Sequence, residues 1–155
     1  MGAVNGVCWA PEMLNAFDFV LCAEHATFAQ GDMMIGICPG GGSTQTLPRV
    51  VGRRHALDFL LRPRAISAEQ AYRIGLVNEI VPAAELMDRA TALAAELSAY
   101  PEGAVEMTKL AVTRAPEVRL VEGMAMEQDC FVLSTQSGFI GGFAKNYWDR
   151  KKAKA

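Results

Sequence analysis

Short apolar runs open this chain and long amphipathic stretches close it. Residues 3–8, Ala-Val-Asn-Gly-Val-Cys, have strand-like composition, and Pro11 then favours a short helix through about Phe17. The run Phe-Val-Leu-Cys at 19–22 suits a buried strand, and Ala-Thr-Phe at 26–28 suits another. From Gly40 onward the period lengthens. Residues 53–61 carry Ala56, Leu57, Leu60 and Leu61 on one stripe before Pro63 stops the helix. Ser67-Ala-Glu-Gln70 is a capping-box pattern and predicts a helix from Ala68 to Gly75. Residues 76–81 read as a strand closed by Pro82. Leu86, Ala90, Leu93, Ala94 and Leu97 recur at three and four residues, the mark of an amphipathic helix. Further helices are predicted over 103–114 and from about 117 to 135, the latter presenting Leu120, Met124 and Phe131. Glycines at 138, 141 and 142 then interrupt the pattern ahead of Phe143, Tyr147 and Trp148.

Strands and helices alternate in the first half and helices dominate the second, which argues for an α/β fold with a helical C-terminal layer. The expected division is a partial α/β core over 1–82 and a helical region over 83–155, joined as one continuous domain. No internal repeat, low-complexity stretch or linker separates them.

Composition narrows the class of function. Of 155 residues, 51% are apolar and 21% charged, as in ordinary globular proteins. A formal charge of -2 gives no electrostatic case for nucleic acid, and Arg150-Lys-Lys-Ala-Lys154 reads as a solvated tail. Cysteines at 8, 22, 38 and 130 fit neither a zinc site nor a disulfide framework, so free and mostly buried thiols are expected. No apolar run is long enough to span a membrane and nothing resembles a cleavable signal, which points to a cytoplasmic protein.

The stretch from Phe28 to Gly52 carries the clearest chemistry. Asp32 precedes Pro39 and the glycines 40–42, which open a predicted helix. Glycine lets backbone N–H groups approach a ligand, and a helix start leaves such donors unpaired. No Lys-Ser/Thr follows the glycines, which argues against a phosphate loop. Glu12 falls in the first turn of the helix begun by Pro11, where a carboxylate is favoured. His25 and His55 have no sequence partners and read as structural or exposed; Met33 and Met34 read as core.

In their order and spacing, Val4-Asn5-Gly6, Asp18-Phe-Val, Ala26-Thr-Phe28, residues 36–52, Ile66-Ser-Ala-Glu-Gln-Ala71 and Gly75-Leu-Val-Asn78 resemble the crotonase (enoyl-CoA hydratase/isomerase) superfamily, C-terminal part only. The resemblance implies a ClpP/crotonase-type α/β fold, truncated on its N-terminal side, with C-terminal helices that build a trimer or hexamer. It also implies lyase chemistry on acyl-CoA thioesters in fatty acid metabolism, with coenzyme A as part of the substrate and neither a further cofactor nor a metal. Glu12, six positions before Asp18, matches one catalytic glutamate of the hydratases. Asp32 takes the place of the second, one methylene shorter. Gly40 matches a glycine lining the water site, and Trp9 or Ala10 would offer an oxyanion N–H. Phe143 and Lys145 resemble residues that reach a neighbouring subunit's CoA.

Two departures set the alternative. The turn at Val7-Cys-Trp-Ala-Pro11 is two residues shorter than the family's and lacks its glycine, and Pro11 has no N–H. The second oxyanion donor and most of the loop around the adenine belong to an N-terminal half that the resemblance does not cover. The competing expectation is therefore a catalytically inactive, truncated crotonase-like protein serving as a binding or assembly module, with a complementing N-terminal half as a possible partner.

Overall fold

The computed structural model describes residues 1–135 together with Trp148, Asp149 and Lys152, so Phe143, Lys145 and the three late glycines lie outside the described residues. The chain divides into two units, Met1–Ala94 and Ala95–Ala155.

The first unit holds two small sheets. One has the order β1 (Gly2–Val4), β3 (Val20–Ala23), β6 (Glu79–Val81), all parallel. The other has the order β2 (Val7–Cys8), β4 (Thr27–Phe28), β5 (Ile66–Ser67); β2 and β4 are parallel, β4 and β5 antiparallel. The strand predicted over 3–8 is thus two strands in two sheets. Gly6, at φ +150°, makes the step between them, a conformation that side-chain-bearing residues rarely adopt. The pair β3 and β4 repeats the same step beside it. Only residues 79–81 of the strand predicted over 76–81 join a sheet; Leu76 and Val77 are buried in the core ahead of it. Asn78 explains the late start. Its side-chain oxygen accepts from the Val20 N–H at 2.8 Å and its own N–H donates to the Val20 carbonyl at 2.7 Å.

Helices cover this core. α1 (Ser43–Val51) and α2 (Arg53–Leu61) pack on each other, and α1 also meets a 3-10 turn at Pro11–Ala16. α2 buries Ala56, Phe59 and Leu60, whereas Leu57 and Leu61 are exposed. The predicted stripe was displaced by one position because Phe59, the largest apolar side chain of that turn, takes the core. α3 (Ala68–Arg73) begins with both bonds of the capping box: Ser67 accepts from the Gln70 N–H and the Gln70 side chain from the Ser67 N–H. It ends earlier than predicted, and Gly75 takes the left-handed turn that follows. α4 (Leu86–Ser98) buries Leu86, Ala90 and Leu93. Arg89 on this helix clasps Glu79 of β6 with two bonds of 2.7 and 2.6 Å.

In the second unit α5 (Glu102–Arg114) and α6 (Leu120–Thr135) pack side by side around a cavity of about 680 Å³ that Met107, Ala111 and Phe131 help to line. Leu120, Met124 and Phe131 are all exposed. Among the described residues no helix is long and apolar enough to cross a membrane, and no three His, Cys, Asp or Glu side chains gather as metal ligands would.

Candidate active site

The parallel pair β2/β4 fixes two chain ends side by side. Its ladder continues beyond the strands, with the Thr27 N–H on the Gly6 carbonyl at 3.1 Å and the Ala29 N–H on the Cys8 carbonyl at 3.0 Å. From the end of β2 the chain passes Trp9 and Ala10 into the turn at Pro11–Ala16, which carries Glu12. From the end of β4 it passes Gln30 and Gly31 into a second 3-10 turn at Asp32–Ile35. Parallel pairing therefore delivers both candidate carboxylates to the same end of one sheet.

Glu12 reaches the glycines. A Cβ at Gly41 would stand 3.1 Å from both Cγ and Oε1 of Glu12, and Gly41 holds a left-handed φ of +59°. The left-handed backbone favours glycine there, and any Cβ would make the Glu12 side chain give by a few tenths of an ångström. The residue adjoining Glu12 is Gly41; the neighbouring Gly40 accepts the Ser43 N–H at 3.1 Å through its carbonyl and has open space at its Cα. The turn at Pro11–Ala16 is tied to α1 by Asn15, which donates to the Thr46 hydroxyl at 2.9 Å.

Asp32 is half-buried at the start of its turn, and the buried Gln30 side chain donates an N–H to its Oδ2. Trp9 is 61% exposed, with ring carbons 3.9–4.0 Å from where a Gly31 Cβ would lie. Three buried polar atoms have no protein partner among the described residues: Glu12 Oε2, Gln30 Oε1 and Ser43 Oγ. Leaving such a group unpaired costs about 1–3 kcal/mol, and the three fall on or just beside these two turns and the start of α1.

Cys8 lies beside this site. Burial pushes its thiol pKa up, the nearby Ala10 backbone N–H pulls it down, and the nearby Glu12 charge pushes it up again. Ala10 is one of the two residues predicted to offer an oxyanion N–H. Its carbonyl accepts the Met13 N–H at 3.2 Å.

One expectation needs correction. Met33 and Met34 are exposed, because the turn at Asp32–Ile35 turns them outward, and Met33 lines an apolar cavity of about 460 Å³ with Ile37, Leu57, Leu60 and Leu61. Among the thiols, Cys22 and Cys130 are buried, Cys8 is half-buried and Cys38 is exposed; none forms a disulfide. His25 and His55 are exposed. Sequence reasoning did not single out Gln30 or Ser43, and it named Gly41 only as one of the glycines 40–42. Gln30 had one available signal: it stands two residues before Asp32 at a strand end, a spacing that can place both side chains on one face.

The sequence profile of the enoyl-CoA hydratase/isomerase family matches residues 1–153. The chain belongs to this family. A probable enoyl-CoA hydratase of Mycobacterium bovis is 37% identical over 129 residues, 83% of this chain and 49% of the relative. Crotonyl-CoA hydratase of Syntrophomonas wolfei is 35% identical over 131 residues, 84% of this chain and 49% of the relative. The crystal structure of an enoyl-CoA hydratase subunit I from Geobacillus kaustophilus superposes with a TM-score of 0.86 at 28% identity, over 95% of this chain and 57% of that one. The chain is similar to enoyl-CoA hydratase from Bacillus anthracis to the same degree, TM-score 0.86 at 27% identity, over 94% and 57%. The fold is therefore crotonase-like, mixed α/β with a helical C-terminal portion, and the chain spans about half the length of the curated relatives it matches.

Proposed function

We propose that this enoyl-CoA hydratase/isomerase-family chain carries the acid–base half of a site for acyl-CoA thioesters. The observation that supports it is the Glu12 carboxylate against Gly41, with one oxygen buried and unpartnered, at the same sheet end that presents Asp32. Hydration of a 2-enoyl thioester needs both groups. One carboxylate takes a proton from water as the water oxygen bonds to the β-carbon, and the π electrons move to the thioester oxygen as an enolate. The other, protonated beforehand, then returns a proton to the α-carbon. Backbone N–H groups aimed at the enolate oxygen lower the barrier. Trp9 or Ala10 supplies one, and a complementing N-terminal half supplies the rest of that side.

A second reading is a catalytically inactive module for binding or assembly, a trimer or hexamer of this chain. It is favoured by Val7, Trp9, Met13 and Ile35, each more than 60% exposed. Such apolar surface favours association.

Calorimetric titration with acetoacetyl-CoA, combined with crotonyl-CoA hydration followed by absorbance, separates the two. Saturable binding with turnover that Glu12→Gln abolishes supports the first reading. No binding and no turnover, with sedimentation as a stable oligomer, supports the second.

A further inference from the structure

We propose that the pocket between α2 and α3, rimmed by His55, Arg64, Gln70 and Arg73, binds a phosphate group, either free or carried on a larger metabolite. It stands apart from the acyl-CoA reading, because none of these residues belongs to the Glu12–Asp32 site. The setting is a local excess of positive charge. Residues 49–73 hold six arginines against two carboxylates, in a chain whose formal charge is -2. The cavity measures about 190 Å³. Phe59 and Ile66, both buried, give it an apolar wall that keeps bulk water from one side.

Donors outnumber free acceptors in this pocket. Asp58 is its one carboxylate, and both oxygens already face arginines: Oδ1 accepts from Arg62 and Oδ2 from Arg64, each at 2.7 Å. The Arg62 bond, with the charges of Arg62, Arg64 and His55 beside it, holds the Asp58 carboxyl below its usual range. The Gln70 side-chain oxygen is taken as well, accepting the Ser67 N–H at 3.0 Å in the capping box. What remains on offer is mostly N–H: the Gln70 NH₂, the other N–H groups of Arg64, and the whole Arg73 guanidinium. Arg73 makes no ion pair among the described residues, although Glu69 stands four positions before it.

Two of these donors are held in place before any ligand arrives. Arg64 is fixed at its side chain by Asp58 and at its backbone N–H by the Arg62 carbonyl, 2.7 Å away. Gln70 is fixed by the capping box on α3. Donors ordered in advance lose little freedom on binding, which favours affinity. A phosphate presents several acceptor oxygens and up to two negative charges, so it engages two guanidinium forks where a single carboxylate satisfies one.

The test is a titration of the full chain with inorganic phosphate at constant ionic strength, followed by NMR of the arginine Nε–H groups and the His55 ring. Saturable shifts at Arg64, Arg73 and His55 support the site. Arg73→Gln should weaken phosphate binding by about fivefold, or about 1 kcal/mol, and Arg73→Lys should recover part of that loss. Arg54→Gln, at an exposed arginine of α2 that does not line the cavity, should leave binding unchanged. ADP separates the two sources. Binding about tenfold tighter than phosphate through the same residues assigns the pocket to a phosphorylated metabolite; equal or weaker binding assigns it to free phosphate. Shifts that grow without saturating, or that spread equally to Arg49 and Arg54, show general charge screening and overturn the site. Acetate bound as tightly as phosphate overturns it too, because one carboxylate would then satisfy every donor that matters.

Discussion

The carboxylate of Glu12 lies across Gly41, close enough that a single methyl group there would stand 3.1 Å from its Cγ and Oε1. The contact joins the turn that follows β2 to the glycine turn that opens α1. Neither residue specifies the other in sequence. One provides charge, and the other provides the missing side chain that admits it.

Gly41→Ala therefore acts twice. The left-handed backbone disfavours any Cβ by about 1–2 kcal/mol, and the new methyl pushes the Glu12 side chain aside. We expect a loss of stability of that order in chemical denaturation. In the acyl-CoA assay we expect a loss of turnover close to that of Glu12→Gln. A variant destabilised as stated but with full turnover would separate the contact from the chemistry.

The buried Cys22 thiol makes stability fall at alkaline pH. Burial raises its pKa from about 9 to about 11. Between those values the unfolded chain has lost the thiol proton and the folded chain has kept it, so the unfolded state binds fewer protons and stability falls with rising pH. At about 1.4 kcal/mol per pKa unit, the loss through that window is on the order of 2–3 kcal/mol. Urea melts at pH 8.5 and 11, compared with Cys22→Ala, should show the wild-type decline exceeding that of the variant by this amount.

Arg89→Ala breaks the two-bond clasp on Glu79 that ties α4 to β6. Both side chains are about one-third exposed, which keeps the pair near the upper end of the surface range. A loss of about 1 kcal/mol is expected, with acyl-CoA binding unchanged. A loss within error of zero would show that solvent screens the pair fully.

Much of the fold was legible in the sequence because it depends on local rules. The capping box at Ser67 and Gln70 formed as its spacing requires, and the apolar period of Leu86, Ala90 and Leu93 became the buried face of α4. The order of motifs from Val4 to Asn78 was enough to identify the family, and Glu12 and Asp32 were visible as candidate carboxylates. Tertiary structure decided the rest. Period alone did not reveal that residues 3–8 divide between two sheets, because Gly6 breaks the direction without breaking the apolar run. Nor did it reveal that Phe59 displaces Leu57 and Leu61 from the core, that Gly41 receives Glu12, or that the Gln30 side chain donates to Asp32. Those relationships arise when distant segments compete for the same few ångströms of space and the same donors. Sequence determined which elements form and which family they build; only packing decided which atoms meet.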